Sequence, residues 1–293
     1  MSDTRALLAA ALLAAGCATT GTPPPASHAA DSGITLPALR VEEPPVVDGV
    51  VNEQAWRDAP EIEIPLESGE GPDACRLRAA VHGGSLYLLV RWRDATGDRE
   101  HEPWVPSEDG KWTQGPERED ELAVAFPMEG PFTADMTSPV EALWDVWHWK
   151  SARTDPAGHA MDMTHRMTLS DPGGKRKAHT LPDGSILYMT RTEDAGSSAT
   201  KTLEAPASGE RAPQYRAVIP TGSAGDVLAR GRWQDGWWTV ELARALSTGE
   251  GDDRDFSARG RIPFALAILD RAENEAQSLS TVLVLEIPPA RGR

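Results

Sequence analysis

The sequence predicts an all-β fold, a β-sandwich with a few short helical turns. Three observations carry that expectation. From Ile34 onward, Gly, Pro, Asp and Asn punctuate the chain every ten residues or so, and the runs between them are short and β-prone. That spacing suits a sandwich or barrel. Asp235-Gly236 stands between Gly231-Arg232-Trp233-Gln234 and Trp237-Trp238-Thr239-Val240-Glu241-Leu242, a strong short-range hairpin signal. Ten Trp against three Tyr and four Phe supply large apolar bodies that suit a β-rich core or an aromatic-lined pocket.

At the N-terminus, Arg5 is the one positive charge ahead of an apolar run from Ala6 to Ala15, which leads into Gly16-Cys17. The run is shorter than the about 20 residues a spanning helix needs, and it reads as a targeting segment to be set apart from the fold. It resembles a bacterial lipoprotein signal. The resemblance implies that residues 1–17 are the signal with its lipidated Cys17, cleaved before that cysteine, and that the chain is lipid-anchored at the periplasmic side of a bacterial membrane or envelope. The plainer alternative is an ordinary secretory signal with an incidental cysteine. Residues 18–33, rich in Thr, Pro, Ala, Ser and Gly, suit a flexible tether, and residues 34–293 are expected to form a single domain. No later segment is apolar enough to span a membrane.

Within the domain, Val46 to Ala59 reads as a strand, a tight Asp48-Gly49 turn and a short helix from Asn52, the expected N-cap, that buries Trp56. Residues 75–81 and 85–92 make a hairpin around Gly83-Gly84. Glu121 to Phe126 is a strand stopped by Pro127, Leu242 to Leu246 a helical turn, and residues 262–269 and 279–287 two late strands. With Cys17 lipidated, Cys75 has no partner for an internal disulfide and is expected as a buried thiol. The absence of C-x-x-C-H excludes covalent c-type haem, and no thiolate cluster exists for zinc or iron–sulfur chemistry. Any metal must be held by His, Met, Lys or carboxylates.

The 29 Lys and Arg against 45 Asp and Glu give a net charge of −16, which argues against nucleic acid or anionic lipid head groups as partners and leaves a cationic or redox partner open. There is no G-x-S-x-G, P-loop or H-E-x-x-H. Glu119-Asp120 and Asp252-Asp253 are adjacent in sequence and read as solvated loop charges, so nothing requires an enzyme. Two stretches could carry chemistry. In Trp144-Asp145-Val146-Trp147-His148-Trp149-Lys150, strand alternation puts Trp144, Val146, His148 and Lys150 on one face and Asp145, Trp147 and Trp149 on the other. A nitrogen ligand and a cation beside an apolar wall suit a flat anionic macrocycle such as haem; the plainer reading is a hydrogen-bonded histidine in a Trp-rich core. In His159-Ala160-Met161-Asp162-Met163-Thr164-His165-Arg166-Met167, His and Met recur at every second position. If extended they share one face and offer soft ligands suited to Cu(I), whereas the plainer reading is a loop with incidental Met.

The module ending in Trp56, together with Leu86-Tyr87-Leu88-Leu89-Val90-Arg91-Trp92-Arg93-Asp94, Asp120 to Pro127, Asp145 to Lys150 and Ile262 to Asp270, resembles the haem-binding domain related to the gamma subunit of ethylbenzene dehydrogenase, over about residues 40 to 288. The resemblance implies a β-sandwich carrying one noncovalent haem b, acting in electron transfer without substrate turnover, with a molybdenum oxidoreductase or a membrane cytochrome as redox partner. It carries the axial methionine onto Met136. The family's opposite ligand, a lysine or histidine, falls in Arg271 to Leu279, which contains neither. The cofactor-binding candidates are accordingly Met136, His148, Trp147, Trp149 and Lys150, with Met136 and His148 as iron ligands and His159 or His165 as alternatives. The Asp48-Gly49 to Trp56 module also resembles family-nine carbohydrate-binding modules, a related sandwich like the DOMON-type domains. A haem-free sandwich that binds carbohydrate or another ligand, or a Met/His copper protein, is therefore the alternative.

Overall fold

The computed structural model describes residues 31–68, 71–135, 138–271 and 278–290. Fourteen strands join in one continuous ladder: β1 (Asp31–Arg40), β2 (Ile62–Ser68), β3 (Ala74–His82), β4 (Ser85–Arg93), β5 (Glu121–Glu129), β6 (Ala142–Lys150), β7 (Met161–Thr168), β8 (Lys177–Thr180), β9 (Ile186–Glu193), β10 (Leu228–Gln234), β11 (Trp237–Ala245), β12 (Gly260–Leu269), β13 (Ser278–Ser280) and β14 (Val282–Ile287). The order is β8-β9-β7-β6-β5-β12-β13-β2-β3-β4-β11-β10, with β1 lying parallel to both β14 and β3. The ladder folds back on itself, so that β3, β4 and β11 face β5, β6 and β12 across one apolar core. The fold is therefore the all-β sandwich expected.

Period-two burial explains the layers. On β3 and β4, Cys75, Leu77, Ala79, Val81 and Leu86, Leu88, Val90, Trp92 point into that core, while Ala80 and Leu89 point outward and are covered by Trp56. From the opposite layer Trp149 inserts between Trp92 and Trp238, at ring-centroid distances of 6.3 and 5.0 Å. Its indole lies against the backbone of Gly231, where an added Cβ would meet Trp149 Cζ2 at 2.2 Å. Glycine on β10 is thus required by the tryptophan facing it, since cores tolerate little overpacking.

The hairpins at Gly83-Gly84 and Asp235-Gly236 form as expected, with Cys75 pairing with Trp92 and Trp238 with Trp233. Four local expectations are corrected. Val46 and Val47 are not in a strand, and Val46 is exposed. The helix is a single turn, Gln54–Asp58, whose N-cap is Glu53 rather than Asn52. What fixes it is Trp56, whose Nε1 donates to the buried Glu241 carboxylate at 2.5 Å, a group that also accepts from the Asp48 and Gly49 amides. Pro127 does not stop β5, which continues to Glu129 through a register shift between the two residues, a usual way for a strand to accommodate a missing N–H. Leu242 to Ala245 remain strand, because pairing with β4 continues unbroken to Ala245↔Ser85; the ladder overrides the local helical tendency.

Candidate cofactor site

β6 runs between β5 and β7, and every one of its residues is buried. The alternation expected from sequence holds. Trp147 and Trp149 belong to the core between the layers, and Trp149 Nε1 donates to Asp155 Oδ1 at 2.9 Å. Trp144 and Val146 face the other way, into a second apolar cluster with Met163, Met167, Leu187 and Met189.

Antiparallel register supplies β7's contribution to that face: Trp144 pairs with His165, Val146 with Met163, and His148 with Met161. Residues 161–168 are a strand, not a loop. His165 Nε2 lies 3.2 Å from Met163 Sδ, and its Nδ1 is buried without a hydrogen-bond partner. Burial, then the nearby Arg191 charge, holds His165 well below the usual histidine range. His159 precedes the strand. Its Nδ1 sits 2.9 Å from the Ala157 carbonyl, and its backbone bridges to Leu228, so it is not gathered with the others. The β5–β6 connection crosses this face through Phe132 and Val140, with the Phe132 ring edge-on to Trp144 at 5.1 Å. Met136 belongs to that connection but lies outside the described residues, as does most of the Arg271 to Leu279 segment.

At the C-terminal end of β6 the face becomes ionic. His148 Nε2 stands 2.5 Å from Glu121 Oε2, Lys150 Nζ is 3.9 Å from the same oxygen, and Arg153 Nη2 is 2.7 Å from Glu121 Oε1. Arg153 Nε also bonds Glu119, which accepts the Ala152 and Arg153 amides at 2.6 and 3.0 Å, and His101 Nδ1 lies 3.4 Å away. Burial first, then the Lys150 charge, lowers His148 to about 4; burial and then Arg153 lower His101 to about 3. Both imidazoles are therefore neutral at physiological pH, the form that ligates metals. The two glutamates face two cations, so the cluster is close to charge balance without an added ion. A cavity of about 330 Å³ lined by Arg99, His101, Arg211, Gln214 and Tyr215 adjoins it, and Arg153 stacks 5.4 Å over the Tyr215 ring.

The carboxylates read as solvated loop charges are corrected here. Glu119 and Asp120 are wholly buried and Asp253 nearly so. Asp253 Oδ1 and Asp145 Oδ2 accept from one Arg244 nitrogen at 2.5 and 2.7 Å, and Asp162 Oδ2 lies 3.7 Å from it. Sequence reasoning missed His101, Glu119, Glu121 and Arg153 as parts of one cluster. The available signal was the apolar strand that begins at Glu121, which draws its flanking acids inward.

The chain matches the family described as Ethylbenzene dehydrogenase over residues 53–280. No curated protein matches it. Among solved structures, a carbohydrate binding module family 9 from Caldicellulosiruptor kristjanssonii, in complex with glucose, aligns with a TM-score of 0.39 and 10% identity over 88% of this chain and 98% of that one.

Proposed function

The chain belongs to the ethylbenzene dehydrogenase family, and on that premise we propose that it is an exported, lipid-anchored protein that binds one noncovalent haem b and transfers electrons without turning over a substrate. Bound haem would supply a one-electron iron centre. The observation that carries the reading is the donor set on the β6–β7 face: neutral His148 and His165 beside the thioethers of Met161 and Met163, beneath the connection to which Met136 belongs. Imidazole and thioether are axial ligands of b- and c-type centres, and the unpartnered Nδ1 of His165 is a nitrogen with no other employment.

Each group has a separate task in this proposal. His148, or His165 in its place, and Met136 would hold the iron. Lys150 and Arg153 are paired with Glu121 and Glu119, so propionate groups would pair with them in place of those carboxylates. Trp147 and Trp149 act from behind, as the rigid core on which β6 rests. Phe132 covers Trp144 and would shield this face from water. Lipidation of Cys17 would tether the sandwich beside its partner, a molybdenum oxidoreductase or a membrane cytochrome, as the family resemblance implies.

Haemin titration of the full chain, followed by Soret absorbance and Trp quenching, tests this. One saturable equivalent is expected, with binding weakened at least tenfold in Met136→Ala and in His148→Ala or His165→Ala. Unsaturable, non-stoichiometric absorbance in the wild-type protein would refute it. The 3.2 Å approach of His165 Nε2 to Met163 Sδ favours a second reading, a Cu(I) site on the same face. That reading requires Met161→Ala plus Met163→Ala to lose Cu(I) affinity, and equal affinity in the double variant sinks it.

A further inference from the structure

Among the described residues, three groups of acidic side chains converge closely enough to surround an ion: Glu119 and Glu121 with His101, Asp145 with Asp162 and Asp253, and Asp94 with Asp120 and Asp270. The first is balanced by Lys150 and Arg153. The second has Arg244 at its centre. The third has no cation inside it among the described residues. Arg271 reaches only its rim, bonding Asp270 at 3.1 Å and standing 3.6 Å from Asp98, and is itself largely exposed.

We propose that Asp94, Asp120 and Asp270 bind a hard divalent cation of the Ca²⁺ class, at the end of the sandwich where β4 stops, β5 starts and β12 stops. One carboxylate oxygen of each lies within 4.8 Å of the others. Asp120 is 0% exposed and Asp94 6%. Their inner oxygens are fixed: Asp94 Oδ1 accepts the Thr96 amide at 3.0 Å, while Asp120 Oδ2 accepts the Asp98 amide at 2.7 Å and Trp238 Nε1 at 2.8 Å. Their remaining oxygens, Asp94 Oδ2 and Asp120 Oδ1, are buried without any hydrogen-bond partner. Buried acceptors are almost always satisfied, so unpartnered oxygens on two buried carboxyls that converge with a third point to an ion among the three groups.

The ligand chemistry selects the metal. All three donors are carboxylate oxygens, which suit hard cations and not zinc or copper. Three carboxylates from three separate elements exceed the one or two that Mg²⁺ usually takes, and match the larger Ca²⁺ shell, completed by water. Asp270, the partly exposed member, gives the ion its way in. The ion would pin the ends of strands from both layers, so its effect is on stability and independent of haem.

Chelator-treated full chain is titrated with Tb³⁺, a luminescent substitute for Ca²⁺, with excitation of Trp. Trp238, bonded to Asp120, is the sensitiser in place. Saturable sensitised emission is expected, displaced by Ca²⁺ and at least tenfold less effectively by Mg²⁺. Ca²⁺ alone should raise the thermal midpoint by several degrees through preferential binding to the folded state. Asp270→Asn, at the exposed rim, should keep the fold and weaken Tb³⁺ binding at least tenfold; Asp120→Asn should do the same or more. Emission that is absent, that Ca²⁺ fails to displace, or that is unchanged in folded Asp270→Asn overturns the proposal.

Discussion

Replacing Arg244 with Leu is expected to cost the fold about 3–5 kcal/mol at neutral pH, the usual penalty for stripping one partner from a buried ion pair. Arg244 and Asp145 are fully buried, and the same guanidinium nitrogen serves Asp145 at 2.7 Å and Asp253 at 2.5 Å, with Asp162 at 3.7 Å. Nη2 donates to the Arg254 carbonyl at 2.6 Å. Leucine would leave three buried carboxylates with no cation. The loss is a large fraction of the 5–15 kcal/mol typical of a folded domain. Arg244→Lys keeps the charge without the planar fork, and should lose about 1.5–3 kcal/mol, the range for a hydrogen bond to a charged group. Protons should partly replace the missing guanidinium. Even with Arg244 present, burial holds Asp145 up to about 6, against about 3.9 in an unfolded chain. A carboxyl raised on folding keeps its proton longer in the native state, so its stabilising contribution is present at low pH and lost as pH rises through the folded value. Removing Arg244 raises these carboxyls further, and the unfolded value is common to both proteins, so the deficit of the Leu variant should shrink as pH falls from above neutral toward about 6. Urea unfolding followed by Trp emission measures this, with Trp147 lying 4.9 Å from the Arg244 guanidinium as reporter. A Leu variant within about 1 kcal/mol of wild type at neutral pH, or a deficit that does not shrink as pH falls toward about 6, would contradict the reasoning.

Gly231→Ala drives a methyl group into Trp149 and should cost about 1–3 kcal/mol, read as a lower urea midpoint at unchanged slope; an unchanged midpoint would mean that the indole is free to move. Cys75 is buried and its thiol is pushed far up by burial and then by Glu63, so it should resist an aromatic disulfide reagent in the native state and react once in urea, and fast native labelling would contradict its placement. Burial also raises Asp194 to about 8 and Glu241 to about 7, while the lowered histidines cease to matter above about 6.5. Stability in chelator should thus decline from pH about 6.5 to 8, and a midpoint that rises across that window would refute the assignment.

The parts of this fold that could be read from sequence are those with local causes. The Gly83-Gly84 and Asp235-Gly236 turns fix the register of the strands they join, and strand periodicity alone divides Trp147 and Trp149 from Trp144 and His148 and sets Met163, His165 and Met167 together. Long-range pairing was illegible. Glu119 meets Arg153 across 34 positions and Asp145 meets Arg244 across 99, so an acid that looks solvated in a polar run and one set among tryptophans both join buried ionic clusters. The same distance explains the misplaced helix ends: Asn52 suits a cap on local grounds, yet the turn is positioned by Trp56 reaching Glu241, 185 residues away. Leu242 to Ala245 extend because Leu88 to Ser85 are there to pair with them.

The most direct test of the proposed electron-transfer role is the absorption spectrum, oxidised and dithionite-reduced, of the full chain purified from haem-replete cells, with iron and copper measured on the same sample. One iron per chain and a Soret band that sharpens and shifts on reduction are the predicted result. A colourless, iron-free protein would contradict haem binding and direct attention to the copper content of the His165 and Met163 face.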